Sequence, residues 1–313
     1  MKNEFKNTLD NKRYQTYNYY LKKKYNSKVF KVGLNAGFTC PNRDGVKGYH
    51  GCIFCSDSGA GEYAGDISKN LIAQFNTVKA QRHTKWPHAK YIGYFQAFSN
   101  TYASVSELKI KYEPIIKLDN VVGLNISTRP DCFTDDIYDY LEDLSERTDL
   151  WIEIGLQSSK VSTLKKINRG HNYDEFKDCV QELRKRGINV CVHIINGLFG
   201  ENKEDMLNTV SDIVSLDIQG IKIHMLHIIK DTKLAKIYET SQDKVLTKDE
   251  YIDIVVSQLE LIPEDVVIMR LTGDAPKDQL IVPEWTLKKV IVLNDIDKEM
   301  VRRDCYQGSK VNA

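Results

Sequence analysis

The sequence predicts an α/β fold: a partial (βα)6 TIM-like barrel with a basic helical arm before it and an extension after it. Three observations predict it. Short apolar runs alternate six times with longer amphipathic stretches, the runs are apolar almost throughout, and polar residues gather just beyond their C-terminal ends. Such alternation gives parallel strands joined by right-handed crossovers. Strands covered on both faces read as near-continuous apolar runs. Chemistry in such architectures sits at the C-terminal ends of the strands. Six units fall short of the eight that close a full barrel, hence a partial one.

In chain order the predicted strands are residues 29–34, 90–95, 121–126, 150–156, 188–195 and 220–226. Helices are predicted between them at 67–84, 104–117, 134–146, 160–167, 173–185 and 203–215. Phe176, Cys179, Val180 and Leu183 show the helical period, with Cys179 on the apolar face. Cys40 follows the first strand, Gln96 the second, Ser127 to Arg129 the third, Gln157 the fourth and Gly197 the fifth. Glu153 lies inside the fourth strand and faces the barrel interior or the opposite side, depending on register. Beyond residue 230 come a helix at 247–261, a strand at 266–271, a Thr272-Gly273-Asp274-Ala275-Pro276 loop and a last helical stretch from near Trp285. The chain thus divides into an arm (1–28), a barrel (29–230) with a cysteine-bearing loop at 40–55, and an extension (231–313) packed on the barrel.

At 313 residues the chain can bury a sizeable core without disulfides or metals to hold it. Its 44 Lys and Arg against 43 Asp and Glu leave a net charge of +1, so overall charge points to no nucleic-acid partner. The arm is different. Lys2, Lys6, Lys12, Arg13, Lys22, Lys23, Lys24 and Lys28 face only Glu4 and Asp10, interleaved with Tyr14, Tyr17, Tyr19, Tyr20 and Tyr25. No run reaches the ~18 apolar residues of a membrane span and no apolar leader is present, so the chain reads as cytoplasmic, with no membrane partner. Of seven cysteines, Cys40, Cys52 and Cys55 lie close together. In a reducing compartment that favours metal or cluster ligation over a disulfide framework.

Those three lie in Cys40-Pro-Asn-Arg-Asp-Gly-Val-Lys-Gly-Tyr-His-Gly-Cys52-Ile-Phe-Cys55. Three thiolates can hold three irons of a [4Fe–4S] cubane and leave the fourth open to a small ligand. The rival is a structural zinc site with His50 or Cys132 as fourth ligand, although such sites commonly bring two Cys-x-x-Cys pairs and here there is one. Cys191, inside a strand, reads as a core residue.

The order of motifs resembles the radical S-adenosylmethionine (SAM) superfamily, in particular the branch of the radical-SAM domain of the Elongator catalytic subunit. The resemblance runs from about Val29 to Gly273. It rests on the long first gap of the Cys-x11-Cys-x2-Cys spacing, with Phe54 in the aromatic position between the last two cysteines. Ile126-Ser-Thr-Arg-Pro-Asp131, Ile154-Gly-Leu-Gln-Ser158, Asn168-Arg-Gly-His171 and His193-Ile-Ile-Asn-Gly-Leu198 then follow in family order. The resemblance implies a [4Fe–4S] cluster on Cys40, Cys52 and Cys55, SAM chelated to its open iron, and reductive cleavage of SAM to methionine and a 5′-deoxyadenosyl radical. It also implies an electron donor such as flavodoxin or ferredoxin. Carried over by position, Phe54, Gln96, Ala97, Ser127, Gln157, Arg169 and His193 line the SAM site. Gln96 and Ala97 stand where relatives carry Gly-Gly, and Ser127 where they often carry a ribose-binding Glu. Arg169 suits the methionine carboxylate, which a guanidinium fork matches.

For the substrate side, the candidates are His224 and His227 near the end of the sixth strand and Arg270 and Asp274 after the last one. Strand alternation would point only one of the two histidines into the barrel, and Asp274 has a second reading as a turn cap before Pro276. The basic, tyrosine-rich arm can bind phosphates and stack on unpaired RNA bases, or it can be a solvated helix packed on the barrel. The resemblance favours RNA, because its branch includes tRNA wobble-uridine modifiers; no acetyltransferase-like stretch follows the barrel here. The leading expectation is radical modification of a tRNA wobble-uridine side chain. Alternatives are a radical SAM enzyme acting on a small metabolite or peptide, and a non-catalytic, zinc-stabilised RNA-binding protein.

Overall fold

Seven parallel strands curl into a half-barrel, and the six predicted from the sequence are its first six. The computed structural model describes residues 5, 8, 12–59, 61, 63–83 and 85–311. Lys2, Glu4, Lys6 and Asp10 of the arm lie outside the described residues. In chain order the elements are α1 (Tyr17–Tyr25), β1 (Val29–Leu34), α2 (Leu71–His83), β2 (Lys90–Phe95), α3 (Val105–Ile116), β3 (Val121–Thr128) and α4 (Asp135–Arg147). Then follow β4 (Asp149–Gln157), α5 (Val161–Lys166), α6 (Tyr173–Lys185), β5 (Asn189–Asn196), α7 (Lys203–Val214) and β6 (Gly220–Met225). The remainder comprises β7 (Ile228–Ile229), α8 (Lys233–Thr240), α9 (Lys248–Leu261), β8 (Val267–Arg270), β9 (Leu280–Val282) and α10 (Lys289–Arg302).

The main sheet runs β1-β2-β3-β4-β5-β6-β8, each pair parallel. The seventh strand, β8, comes from the segment after residue 230 and pairs with β6. The outer helices form because their apolar residues recur at helical spacing and their ends are capped. In α6, Phe176, Cys179, Val180 and Leu183 are buried, and Asn172 and Glu175 make a reciprocal capping box. Asn202 with Asp205 and Thr247 with Glu250 start α7 and α9 in the same way. Such boxes fix where each crossover enters, and so where each strand's C-terminal end meets the cavity.

Below the sheet, at the strands' N-terminal ends, α1 forms a plug. Tyr17 and Tyr20 pack edge-on against buried Trp151, with ring centroids 6.4 and 5.8 Å away. Tyr25 donates its hydroxyl to Asp149 at 2.5 Å, and Lys24 pairs with the same carboxylate at 2.8 Å. Tyr14 is buried too. Of the reading that set these rings out for stacking on RNA, the packing alternative holds for Tyr14, Tyr17, Tyr20 and Tyr25. Lys22 and Lys23 remain exposed.

The segment between β1 and α2, residues 35–70, carries no helix or strand among its described residues. A connection that long is uncommon inside a compact domain unless it has a function. It folds over the C-terminal ends of the strands and bears the three cysteines.

Candidate active site

The cysteine loop is held by its own backbone and by the barrel. Arg43 and Asp44 donate backbone N–H groups to the Cys40 carbonyl, Cys55 N–H donates to the Cys52 carbonyl, and Ile53 N–H reaches the Ile167 carbonyl at 3.1 Å. Asn42, buried, donates to the Asn168 carbonyl at 2.6 Å and lies 3.9 Å from Cys52 Sγ. Gly48 passes so close that a Cβ there would stand 2.9 Å from Asn42 Oδ1. Arg169 Nη1 donates to Cys52 Sγ at 3.4 Å and its Nη2 to the Gly155 carbonyl at 2.5 Å. The Arg43 guanidinium donates to the Ser56 and Cys55 carbonyls and lies over the Phe98 ring. Burial pushes the Cys55 thiol up to about 11, with Cys52 and Cys40 adding to the rise and Arg43 opposing it. All three cysteines line one cavity.

These residues fit an iron–sulfur cubane. Arg129 Nη1 and Arg169 Nε are buried without a hydrogen-bond partner, and both residues line the cavity that the three cysteines line. Buried charged donors call for an acceptor, and a cubane ligated by thiolates is an anionic one. The zinc alternative fares worse. His50 is exposed to solvent and Cys132 does not line the cavity; burial pushes its thiol up to about 12. Among the described residues, no three His, Cys, Asp or Glu side chains converge as ligands of a single ion. A cubane does not require that convergence, because its thiolates bind different iron corners.

The cavity has a volume of about 230 Å³ and continues into a second lobe of about 220 Å³ toward the extension. Phe54, Gln96, Gln157 and His193 line both lobes, and Ser127 and Arg169 line the first. Ala97 is the exception among the predicted SAM-site residues. Its side chain is buried beside Gly61 and does not line the cavity, because the chain turns there through Phe98 at φ 60°. Gln157 is aimed inward by a bulge between Gly155 and Gln157, which puts it at φ 82°, a conformation uncommon outside glycine. A Cβ on Gly155 would meet Arg169 Nη2 and Gln157 Nε2, each at 2.8 Å, so a side chain there would displace the polar ends of both.

Under this wall lies a buried charge network. Glu153 points to the interior, is 0% exposed, and accepts hydrogen bonds from Lys31 Nζ (2.7 Å), Asn125 Nδ2 (2.6 Å), Ser127 Oγ (3.4 Å) and Lys222 Nζ. His193 Nε2 lies 3.0 Å from the same carboxylate. Tyr94 lies between the two ammoniums, its ring centroid 4.4 Å from Lys31 Nζ and 4.6 Å from Lys222 Nζ, and its hydroxyl takes a hydrogen bond from Lys222 and lies 3.1 Å from Ser127 Oγ. Burial alone would raise the Glu153 pKa, but Lys222 and Lys31, with His193, hold it well below the carboxylate range. Burial and the Lys222 charge lower His193 to about 4 despite Glu153, so the imidazole is neutral at pH 7 and donates Nε2–H. His224, 5.5 Å from His193 between ring centroids, is held well below 6.5 chiefly by burial.

On the substrate side, His224, Arg270 and Asp274 line both lobes and His227 lines the second. The expectation that only one of the two histidines faces inward is corrected. β6 ends at Met225, so His227 lies past the strand, where alternation no longer governs, and its ring packs against Gly273. Asp274 bridges Arg270, at 3.4 Å, and Lys289, which is a stronger role than capping a turn. Cys305, read as part of a polar tail, is buried in the core.

Sequence reasoning missed Lys31, Tyr94 and Lys222, and left Glu153 unassigned. A signal was present: a lysine in the middle of an apolar strand, as in Val-Phe-Lys31-Val and Gly-Ile-Lys222-Ile.

The family model described as the radical SAM superfamily matches residues 42–213, beginning just after Cys40, and a radical SAM C-terminal domain model matches residues 218–302. An uncharacterized Bacillus subtilis protein, YtqA, is 47% identical over 98% of this chain and 95% of its own length. The tRNA uridine(34) acetyltransferase of Methanocaldococcus infernus is 26% identical over 61% of this chain and 36% of its own. The solved structure of the archaeal Methanocaldococcus infernus Elp3, with an N-terminal deletion, superposes with a TM-score of 0.66 at 17% identity, over 90% of this chain and 64% of that one.

Proposed function

The chain belongs to the radical SAM superfamily, on the Elongator-like side of it, and from that premise we propose that Cys40, Cys52 and Cys55 hold its cluster and that its substrate is a tRNA wobble-uridine side chain. It is a radical SAM enzyme that uses a [4Fe–4S] cluster and SAM. When bound, these supply a reducing electron that cleaves SAM and a 5′-deoxyadenosyl radical that takes a hydrogen atom from the substrate. The protein's part is to hold, orient and exclude water. Asn42 and Arg169 donate toward Cys52, and Arg169 Nε and Arg129 Nη1 offer further N–H groups to anionic ligands. Gln157 and neutral His193 present polar groups beside the glycine wall. The observation that carries the assignment is three thiols and two unpartnered guanidinium donors on one cavity at the strands' C-terminal ends.

Support for the tRNA substrate comes from the similarity to the tRNA uridine(34) acetyltransferase. A small metabolite or peptide is the second reading, favoured by one observation: all five of the arm's tyrosines are buried or half-buried rather than fully presented to a polymer. A dedicated reductant such as flavodoxin or ferredoxin is the expected donor. The test is anaerobic reconstitution, dithionite and SAM, with and without bulk tRNA, scored by 5′-deoxyadenosine and by mass analysis of nucleosides from the recovered tRNA. An altered uridine that depends on SAM supports tRNA. Ample 5′-deoxyadenosine with an unchanged nucleoside digest sinks that substrate and leaves the small-molecule reading.

A further inference from the structure

The two ammoniums on Glu153 are not equivalent. Lys31 is absent from the cavity lining, pairs with Oε1, and has its Nζ over the Tyr17 and Tyr94 rings. Lys222 reaches Oε2 and lines the cavity while its residue is only 4% exposed. One carboxylate therefore faces two cations in an interior where His193 is neutral, leaving a surplus of one positive charge. Burying an uncompensated charge is costly. Lys31 neutralises Glu153 from behind, and the surplus falls on the ammonium that faces the cavity.

Two more polar groups flank that ammonium, one of them a cation. His224, two residues along β6, has a buried Nε2 without a hydrogen-bond partner. Arg270 on β8 is the register partner of Lys222. Its guanidinium lines the same cavity, held by Asp274 at the strand end. This cationic wall is built on the last two strands of the sheet, whereas the cysteines follow the first strand and Arg169 serves Cys52.

We propose that Lys222, flanked by His224 and Arg270, binds a carboxylate group of the substrate at this wall. The inference rests on the radical SAM reading, since it assumes that SAM occupies the cysteine side and leaves the β6–β8 wall to the substrate. A carboxylate is preferred to a free phosphate or phosphomonoester because the interior surplus is a single charge, which a monoanion neutralises and a dianion overshoots. Burial also lowers the pKa of Lys31, helped by Lys222, and an arriving anion relieves that tension.

The test uses the full-length reconstituted protein and acetate as the probe, with sodium chloride at equal ionic strength as reference. The wild type is expected to show a saturable rise in Tm with acetate that adds to the rise given by SAM. Lys222→Gln is expected to weaken apparent acetate affinity on the order of tenfold or more, the scale of one charge-assisted hydrogen bond. Lys222→Arg keeps the charge and retains the shift. Arg270→Gln, half-exposed at the strand end and independent of the buried network, shrinks it. An undiminished shift in Lys222→Gln or Arg270→Gln overturns the site, as does a wild type that responds to acetate and chloride alike. Displacement of SAM by acetate also overturns it, because the carboxylate held would then be SAM's own. Phosphate binding more tightly than acetate overturns the choice of carboxylate. A wild type that makes 5′-deoxyadenosine but shows no acetate-specific shift defeats this inference alone. One with the shift and a loaded cluster but no SAM cleavage defeats the functional reading instead.

Discussion

The two ends of the half-barrel satisfy their polar groups differently. At the N-terminal end, Asp149 is met by Lys24 and Tyr25, and the aromatic rings of α1 enclose Trp151. Around α1 the buried donors without a partner are neutral, the Trp151 indole N–H and the Tyr17 hydroxyl, and the one guanidinium atom on that side, Arg186 Nε, lies 3.3 Å from the Glu142 carboxylate. At the C-terminal end the orphans belong to Arg129, Arg169 and His224. A neutral donor buried without a partner costs about 1–3 kcal/mol, and the guanidinium N–H groups of Arg129 and Arg169, shut away from water without an acceptor, cost more. The difference teaches where ligands go: one end is finished by the chain itself, and the other awaits anions.

Removing a thiol should break this contrast most severely. Cys52→Ala takes away the sulfur toward which Asn42 and Arg169 donate, so acid-labile sulfide after reconstitution and 5′-deoxyadenosine should both fall to background. Retention of either at wild-type level would remove Cys52 from the ligand set. The N-terminal end, which makes no contact with the loop cysteines, should leave the fold's thermal transition in place as a control.

Next in size is Glu153→Gln, which leaves two buried ammoniums facing an amide. Losing one member of a buried charge network costs about 3–5 kcal/mol, read as a lower urea midpoint at unchanged m-value. A cost below ~1 kcal/mol would mean the network is already screened by water, and the surplus-charge argument would lose its footing.

Acid sharpens the same comparison. Unfolded, His193 titrates near 6.5; folded, it is held to about 4. Between those values the unfolded chain binds a proton that the folded chain refuses, so stability falls as pH drops from about 6.5 to about 4, by no more than about 3 kcal/mol. His171, lowered to about 3 by burial and the nearby Arg169 and Arg129, acts in the same direction. Glu153 adds its loss only at lower pH. The difference between wild type and His193→Gln therefore isolates His193: the variant's stability should vary less across that window, and parallel curves would refute the assignment.

How much of this was legible from sequence depends on the length scale. The strands from Val29 to Met225 were readable because burial on both faces writes itself as apolar runs, and their ends placed Cys40, Gln96, Arg129 and Gln157 at the cavity, whereas Arg169 came from the family resemblance. β8 was read as a strand, but its four residues gave no sign that they join the sheet beside β6, because pairing across distant segments leaves no local period. Ala97 was misplaced by a single φ 60° turn, which no pattern of residue types announces. The lysines were visible as oddities, yet a charge in an apolar strand says only that a partner exists. That both Lys31 and Lys222 use Glu153 is a property of curvature, which brings β1, β4 and β6 to one point.

The smallest effect tests the finished end. Tyr25→Phe deletes a hydroxyl that donates to Asp149 at 2.5 Å, while Lys24 remains on that carboxylate. The loss is one charge-assisted hydrogen bond at a half-buried site, about 1–2 kcal/mol, partly offset because the site is close enough to solvent for water to replace the donor. Stability should fall by that much while the acetate shift and SAM cleavage keep their wild-type values. If cleavage dropped as well, α1 would be coupled to the cavity through Trp151 and Glu153, which lie on one strand two residues apart, and the two ends could no longer be treated as separate.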